Sequence, residues 1–211
     1  AGYKKKNMII GITGGIGSGK STIAKQLRAM GYAVYDTDSE AKRLIMENAH
    51  VREQMEQLFG KEVYVGGVYQ TALVAQRVFT DKSLLAQLNA IVHPAVKADI
   101  LRWAQNINHL TQPHTTLNHP TPCFIECAIL YQAGFDELCD KVIVVTAPED
   151  VRLARAVARD HSTIEKVRAR MRAQETEKDI ERADLVINND GKIEIMAICL
   201  QIQDFFRNFA G

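Results

Sequence analysis

A glycine-rich segment near the amino terminus constrains the fold of this chain more than any other feature. Residues 14–21 read Gly-Gly-Ile-Gly-Ser-Gly-Lys-Ser and match the pattern G-x-x-x-x-G-K-S/T. An apolar run at residues 8–12 precedes the segment, and a stretch with apolar residues at helical spacing follows it. This order of strand, glycine loop and helix is the setting in which the pattern binds phosphate. The sequence therefore predicts a phosphate-binding loop, or P-loop, between a buried strand and a helix.

The predicted P-loop has the residues that binding of ATP and Mg²⁺ requires. Glycines let the backbone turn its N–H groups toward phosphate oxygens, and the following helix adds unpaired N–H groups and the positive end of its dipole. Lys20 is expected to reach the β- and γ-phosphates, Ser21 to ligate Mg²⁺ and Thr22 to contact the α-phosphate. A glycine-rich turn that only packs closely is the alternative. The residues predicted to bind the nucleotide here are Gly15, Ile16, Gly17, Ser18, Gly19, Lys20, Ser21 and Thr22.

Short apolar runs alternate with helical stretches along the chain and predict its fold class. The runs lie at residues 8–12, 33–35, 124–125, 142–145 and 185–187. This alternation predicts an α/β fold, a five-stranded parallel sheet flanked by helices. The length of 211 residues favours a single domain. Its predicted parts are a nucleotide-binding core at 8–36 and 123–211, a helical substrate-binding insertion at about 39–110 and a helical lid at about 148–178.

Three stretches outside the sheet carry more specific expectations. The helical stretch from residue 82 to about 108 should bend at Pro94 and form two helices, because proline removes a backbone donor and clashes with the preceding turn. Residues 193–209 are amphipathic, with Met196, Leu200 and Phe206 among the apolar positions, and should pack on the sheet. Residues 111–122 are predicted to form a surface loop, and the nearby His109, His114 and His119 are interpreted as solvated residues rather than metal ligands.

Composition excludes several classes of partner. The net charge is +1, from 26 basic and 25 acidic residues, so no general field attracts nucleic acid or a membrane surface. No apolar run approaches the roughly 20 residues that cross a bilayer. The four scattered cysteines lack zinc-site spacing and are expected to be core thiols in a reducing compartment. We therefore expect a cytoplasmic protein without nucleic-acid or membrane partners, and the sequence does not predict its oligomeric state.

Two carboxylates follow the second apolar run directly. Asp36 and Asp38 stand just after the run at residues 33–35. Ligands of open parallel sheets bind beyond the carboxyl ends of the strands, so these acids are expected to face the P-loop. One of them would accept the proton of an acceptor hydroxyl or help to hold Mg²⁺. The alternative is that Asp36 or Asp38 only caps the helix that begins near Ser39.

Arginines recur after the fourth apolar run. Arg152, Arg155 and Arg159 are spaced to share one helix face. Guanidinium groups on a mobile helical pair suit a kinase lid, because a closing lid neutralises phosphate charge and excludes water. We expect Arg155 to act in catalysis and Arg159 to bind the nucleotide, the alternative being a solvated arginine face. Three further arginines follow on the next predicted helix, namely Arg168, Arg170 and Arg172.

Five segments resemble the dephospho-coenzyme A kinase family. The P-loop with its flank, Ile-Thr-Gly-Gly-Ile-Gly-Ser-Gly-Lys-Ser at 12–21, is similar to the loop of that family and more specific than the general pattern. The resemblance runs from residue 8 to about residue 191. The other similar segments are Asp-Thr-Asp at 36–38, Leu-Asn-Ala-Ile-Val-His-Pro at 88–94, residues 155–160, and Ala-Asp-Leu-Val-Ile-Asn-Asn-Asp-Gly at 183–191.

This resemblance implies an activity and several residue roles. It implies transfer of the ATP γ-phosphoryl group to the ribose 3′-hydroxyl of dephospho-coenzyme A, the last step of coenzyme A synthesis. By the same resemblance Asp38 is the base, the insertion binds the acceptor, the arginine helices form the lid and the loop near Asn189 lies against adenine. The rival interpretations are another small-molecule or nucleoside monophosphate kinase, and a nucleotide-gated binding protein.

One segment departs from the family pattern. Where the family commonly has Pro-Leu-Leu after its third strand, residues 126–130 read Glu-Cys-Ala-Ile-Leu. Glu126 is then either a second acidic group near Mg²⁺ or a buried structural carboxylate. The sequence leaves open which of Asp36, Asp38 and Glu126 is the base and which is associated with the metal.

Overall fold

The computed structural model describes residues 7–107, 122–172, 174 and 177–207. Contacts group the chain into two compact units, one formed by Ala1–Tyr35 with Ala104–Gly211 and the other by Asp36–Trp103. Of the predicted loop at 111–122, only Pro122 is among the described residues. The positions of His109, His114 and His119 also lie outside them. Within the described ranges, no helix has both the length and the apolar character needed to cross a membrane.

The described residues form seven strands and nine α-helices. In chain order the strands are β1 (Met8–Thr13), β2 (Val34–Asp36), β3 (Tyr64–Val65), β4 (Val68–Tyr69), β5 (Pro122–Glu126), β6 (Lys141–Thr146) and β7 (Leu185–Asn188). The helices are α1 (Lys20–Ala29), α2 (Thr37–Glu47), α3 (Ala49–Phe59), α4 (Thr71–Thr80), α5 (Lys82–Asn106), α6 (Glu149–Asp160), α7 (Ile164–Arg172), α8 (Glu177–Glu181) and α9 (Ile195–Arg207).

The main sheet has five strands in the order β2-β5-β1-β6-β7. β1 pairs in parallel with β5 and β6, and β6 pairs in parallel with β7. The register places Ile12 beside Glu126, and Thr146 beside Asn188. The predicted five-stranded parallel sheet is confirmed, and each of the five apolar runs lies within or overlaps one of its strands. The central strand β1 therefore delivers the P-loop to the middle of the carboxyl edge, where ligands of such sheets bind.

Burial on both faces explains the apolar run with which β1 begins. Ile10 and Ile12 are fully buried on one face, and Ile9 is 4% exposed on the other. A continuous apolar run is typical of a parallel strand that is covered on both sides. A side chain on Gly11 would collide with Leu130 and Cys139, so the segment after β5 lies directly over this strand.

Two helices cover one face of the sheet. Ile23 and Leu27 of α1 join Ile198 and Ile202 of α9 in the main apolar cluster, which also contains Ile10, Ile12, Phe124 and Phe206. The predicted packing of the C-terminal helix is thus confirmed. Of the three apolar positions named for this helix, Phe206 is buried, whereas Met196 and Leu200 are 45% and 49% exposed. Both stand two residues from Ile198 along the helix, which turns them to the opposite side.

The second unit is mostly helical and has its own core. Its apolar cluster includes Ile45 of α2, Met55 and Phe59 of α3, and Val74 of α4. A hairpin of β3 and β4, which the sequence did not predict, joins α3 to α4 through an antiparallel pair. The Tyr64 hydroxyl donates to the carbonyl of Ile45 at 2.7 Å and fixes the hairpin to α2.

The long helix α5 corrects one expectation. The sequence predicted two helices meeting at Pro94, but α5 is continuous from Lys82 to Asn106 with Pro94 inside it. An interior proline forgoes one backbone hydrogen bond and costs about 3 kcal/mol. Here Pro94 is exposed, so the unbonded carbonyl of Ala90 can face water. Packing on both sides of the proline offsets the cost, with Ile91 and Ala95 against the unit's core and Ile100 fully buried.

Candidate active site

The P-loop presents the start of α1 as an anion site. The helix begins at Lys20 after Gly19, which adopts φ 91° and makes no side-chain cap. Its first turn holds no acidic residue. The first N–H groups of a helix have no intrahelical partner, and they carry the positive end of the helix dipole. Lys20 adds a full positive charge at the same end. This end of α1 is therefore suited to phosphate oxygens.

Close packing requires glycine at two positions of the loop. Gly17 has φ 77°, and a Cβ there would collide with the backbone carbonyl of Arg152 in α6. Gly19 has φ 91°, and a Cβ there would collide with the side-chain amide of Asn189. Left-handed backbone is costly for residues with a side chain, and the neighbouring atoms leave no room for one. The glycines therefore allow α6 and the β7 loop to lie directly against the P-loop.

The side-chain amide of Asn189 is hydrogen-bonded to the backbone of the P-loop. Its Nδ2 donates to the carbonyl of Ser18 at 2.9 Å, and its backbone N–H donates to the carbonyl of Thr146 at 2.7 Å. Asn189 is 3% exposed. The predicted nucleotide-binding residue is thus a buried neighbour of the P-loop, held by the ends of β6 and β7. Its contact with adenine stays a prediction.

Arg155 is tied to the same group. Its Nη1 donates to the Asn189 carbonyl at 2.8 Å. The same nitrogen would lie 3.8 Å from a Cβ built on Gly19, which places the guanidinium beside the P-loop. The structure therefore brings together Gly19, Asn189 and Arg155, residues that the sequence singled out for three separate reasons.

The other arginines of α6 differ in their partners. Arg159 is exposed and forms hydrogen bonds of 2.6 and 3.1 Å with Asp160, which also accepts from Arg170 at 2.8 Å. Arg159 and Arg170 hold the pKa of Asp160 well below its usual range. Arg152 is half-buried, and its Nε has no hydrogen-bond partner among the described residues.

The side chains of Ser21 and Glu126 are hydrogen-bonded to each other beside the loop. The Ser21 hydroxyl donates to Oε1 of Glu126 at 2.6 Å. Glu126 ends β5 and is 7% exposed. In the part of the chain that the structure describes, no three His, Cys, Asp or Glu side chains gather as a metal site. Mg²⁺ is commonly held by one or two protein oxygens together with substrate phosphates, so a hydroxyl and a carboxylate fit this ion.

The two acids after β2 take different positions. Asp36 is the N-cap of α2, and its Oδ1 accepts from the backbone N–H groups of Asp38 and Ser39 at 3.1 and 3.3 Å. Its other oxygen accepts from the Ser39 hydroxyl at 3.0 Å. Asp38 lies in the first turn of α2 with its side chain exposed. The capping alternative therefore applies to Asp36, and Asp38 is the acid whose side chain does not cap the helix.

Two hydrogen bonds of the P-loop were not predicted from the sequence. Ser21 meets Glu126 across 105 residues, and the backbone N–H of Ile16 donates to Gln174 across 158 residues at 2.8 Å. Glu126 could be found because it stands at a strand end. Gln174 stands in no motif, and no sequence signal marks it.

Comparison with known proteins places this geometry in a family. The sequence model for the dephospho-CoA kinase family matches residues 8–194. A dephospho-CoA kinase of Porphyromonas gingivalis is 42% identical over 174 residues, 82% of this chain and 81% of that protein. A dephospho-CoA kinase of Bacteroides fragilis is 35% identical over 197 residues, 93% of this chain and 91% of that protein.

A solved structure is also similar to this chain. The crystal structure of a Thermus thermophilus protein has a TM-score of 0.80 and 33% identity, with 98% of this chain and 100% of that one covered. The family match runs from β1 to beyond β7 and so contains the P-loop, Glu126, the arginines of α6 and α7, and Asn189. The chain therefore belongs to the dephospho-coenzyme A kinase family.

Proposed function

We propose that this chain transfers the γ-phosphoryl group of ATP to the ribose 3′-hydroxyl of dephospho-coenzyme A, giving coenzyme A and ADP. The observation that carries this proposal is the P-loop at the centre of the sheet, inside a family match that spans residues 8–194. In the reaction, a bond forms between the 3′-oxygen and the γ-phosphorus as the bond from phosphorus to the ADP oxygen breaks. The hydroxyl proton passes to a base.

The first unit supplies charge stabilisation in this proposal. The start of α1 and the Lys20 ammonium would bind the β- and γ-phosphates, whose negative charge is redistributed as the phosphoryl group moves. Arg155, held beside Gly19 through the Asn189 carbonyl, would face the transferring group. Because these donors are fixed before the reaction, little reorganisation is needed when charge moves.

The proposed metal is Mg²⁺, with Ser21 as its protein ligand and Glu126 beside it. The hydroxyl and carboxylate oxygens lie 2.6 Å apart, which supports a small site of oxygen ligands. When bound, Mg²⁺ would neutralise charge on the β- and γ-phosphates. Glu126 would accept a hydrogen bond from the Ser21 hydroxyl. A lone pair of the hydroxyl oxygen would then be directed away from the carboxylate.

Asp38 is the proposed base for the acceptor hydroxyl. It follows the carboxyl end of β2 and is exposed, whereas Asp36 is engaged in capping α2. A carboxylate needs a lone pair directed at the hydroxyl to accept its proton. The second unit is the proposed acceptor-binding insertion, and α6 with α7 is the proposed lid. Arg159 would exchange Asp160 for a phosphate oxygen when it binds the nucleotide.

The proposed compartment is the cytoplasm. The four cysteines are present as thiols, and three of them, Cys123, Cys127 and Cys199, are buried. Burial raises the pKa of the Cys123 thiol to about 12 and that of Cys199 to about 11. Thiols of this kind are common in proteins of reducing compartments.

Replacing Glu126 with glutamine tests the proposed metal site. The amide keeps an acceptor for Ser21 but loses the charge, so the Mg²⁺ concentration for half-maximal activity should rise about tenfold. The measurement is activity against Mg²⁺ concentration at saturating ATP, with Glu194→Gln as control because Glu194 is exposed. An unchanged Mg²⁺ dependence with lowered thermal stability would make Glu126 a structural carboxylate.

The activity itself is tested with a set of acceptors. ADP release is followed with ATP, Mg²⁺ and dephospho-coenzyme A, and in parallel with AMP, adenosine and shikimate. Turnover with dephospho-coenzyme A and a product of the mass of coenzyme A is expected. Turnover with another acceptor alone would keep a P-loop kinase and discard this substrate, whereas ATP consumption stimulated only by a partner protein would favour a nucleotide-gated binder.

A further inference from the structure

The tip of the P-loop, Ile16 and Gly17, is held by residues of the lid. The backbone N–H of Ile16 donates to the side-chain oxygen of Gln174 at 2.8 Å. Gln174 in turn donates its backbone N–H to the carbonyl of Met171, in the last turn of α7, at 3.2 Å. One hydrogen-bonded path therefore runs from α7 to a peptide N–H of the loop.

Apolar packing holds the same tip independently. The Ile16 side chain packs against a small cluster between α6 and α7, whose buried members are Ala156, Val167 and Met171. Val167 is fully buried, so this cluster is a core of the lid rather than a surface contact. The adjacent Gly17 lies against the backbone carbonyl of Arg152. Ile16 thus contacts the lid through a hydrogen bond and through its side chain, and Gly17 contacts it through its backbone.

This arrangement bears on how the loop binds phosphate. A P-loop works by the directions of its backbone N–H groups, and each direction depends on the peptides before it. The next turn of the loop, in which the Ser18 N–H donates to the Gly15 carbonyl at 3.1 Å, encloses the Ile16 peptide. If the Ile16 N–H lost its acceptor, this part-buried donor would drive the peptide to rotate toward another partner. Rotation would redirect the N–H groups that follow.

We propose that Gln174 is a positioning residue for the nucleotide site. Its side-chain oxygen fixes the Ile16 peptide, keeps the P-loop in the conformation that accepts phosphates, and couples the end of the lid to the loop. The inference rests on the proposed function only in taking an adenine nucleotide as the ligand. Gln174 does not touch the reacting atoms, and it acts through the loop backbone.

The substitution Gln174→Met tests this role because methionine has a similar length but lacks a strong acceptor. The dissociation constant for ADP with Mg²⁺ is measured by calorimetry, and KM for ATP and kcat by turnover. Both the dissociation constant and KM should rise about fivefold to twentyfold, with kcat changed by less than about threefold. Gln201→Met is the matched control, since Gln201 is exposed on α9. It should leave all three values unchanged.

A purely structural contact would give a different result. It would lower thermal stability while ADP affinity and KM stayed normal, and that outcome would overturn the proposal. A fall in kcat with unchanged KM would also overturn it, because the residue would then act on catalysis directly. ADP binding needs no acceptor substrate. If dephospho-coenzyme A proved not to be the acceptor, this measurement would still decide the role of Gln174.

Amide exchange of the unmodified chain gives a second test, independent of whether the variant folds. The Ile16 amide should exchange slowly in the nucleotide-free protein, because Gln174 accepts its hydrogen. ADP should change its exchange little, since the bond is made before the nucleotide binds. Rapid exchange without nucleotide and protection only with ADP would show that the loop is not positioned in advance, and the proposal would fail.

Discussion

Replacing Lys20 with methionine is expected to lower kcat/KM for ATP by about a thousandfold, or about 4 kcal/mol of transition-state stabilisation. Lys20 is the first residue of α1 and carries a full positive charge at the end of the helix where phosphates are proposed to bind. Methionine keeps the apolar stem and removes only the charge and its donors. The loss should be larger in kcat/KM than in ADP affinity, because the charge acts most strongly on the moving γ-phosphoryl group.

The matched control is Lys25→Met. Lys25 lies on the same helix and is exposed, so the change in net charge is the same and its effect on turnover should be less than twofold. Turnover of both variants is measured at saturating and limiting ATP, together with thermal unfolding. A loss smaller than about tenfold in Lys20→Met would remove this residue from the catalytic group.

The sheet could be predicted because its information is local. Each parallel strand is buried on both faces, so it appears in the sequence as a short apolar run between polar segments. β1 and β6 show this directly, with Ile143 and Val145 fully buried like Ile10 and Ile12. The glycine pattern then identified which strand delivers the ligand site. These two signals are enough to predict the fold class and the position of the P-loop.

The helices were less predictable where packing overrides local preference. Pro94 was expected to divide α5, but its exposed position and the packing of Ile91 and Ile100 keep one helix. Met196 and Leu200 are apolar yet exposed, because other positions of α9, Ile198 and Ile202, meet the sheet. Propensity and apolar content do not determine which of two helix faces is buried.

Contacts in the candidate site between residues far apart in the chain could not be predicted from the sequence. The hydrogen bonds from Ser21 to Glu126 and from Ile16 to Gln174 depend on the order of the strands and on the path of the chain after α7. The resemblance to a family singled out Asn189 but not the contact that its amide makes with the Ser18 carbonyl. The sequence also does not indicate that the Asn189 amide occupies the space that a side chain at position 19 would need.

Replacing Asp38 with asparagine is expected to lower kcat roughly a hundredfold or more while the affinity for ADP stays within about twofold. Asparagine has nearly the same shape but cannot accept the proton of the acceptor hydroxyl. Asp38 lies in the first turn of α2, where its charge is also favoured by the helix dipole. Loss of that charge should cost at most about 1 kcal/mol in stability, so the variant is expected to fold.

The neighbouring acid gives the comparison that decides the assignment of Asp38. Asp36→Asn keeps the cap of α2, since asparagine accepts from helix N–H groups as well as aspartate does, and its turnover should stay within about threefold of normal. Turnover with dephospho-coenzyme A, ADP binding and thermal unfolding are measured for both variants. If Asp36→Asn loses the larger share of turnover with its stability intact, the base is Asp36 and the exposed Asp38 is a solvated first-turn acid.

If neither variant loses turnover, the base is Glu126 at the end of β5, the remaining acid of the three. Activity of Glu126→Gln at saturating Mg²⁺ then separates that role from metal binding, because added Mg²⁺ restores turnover after a weakened metal site but not after loss of the base.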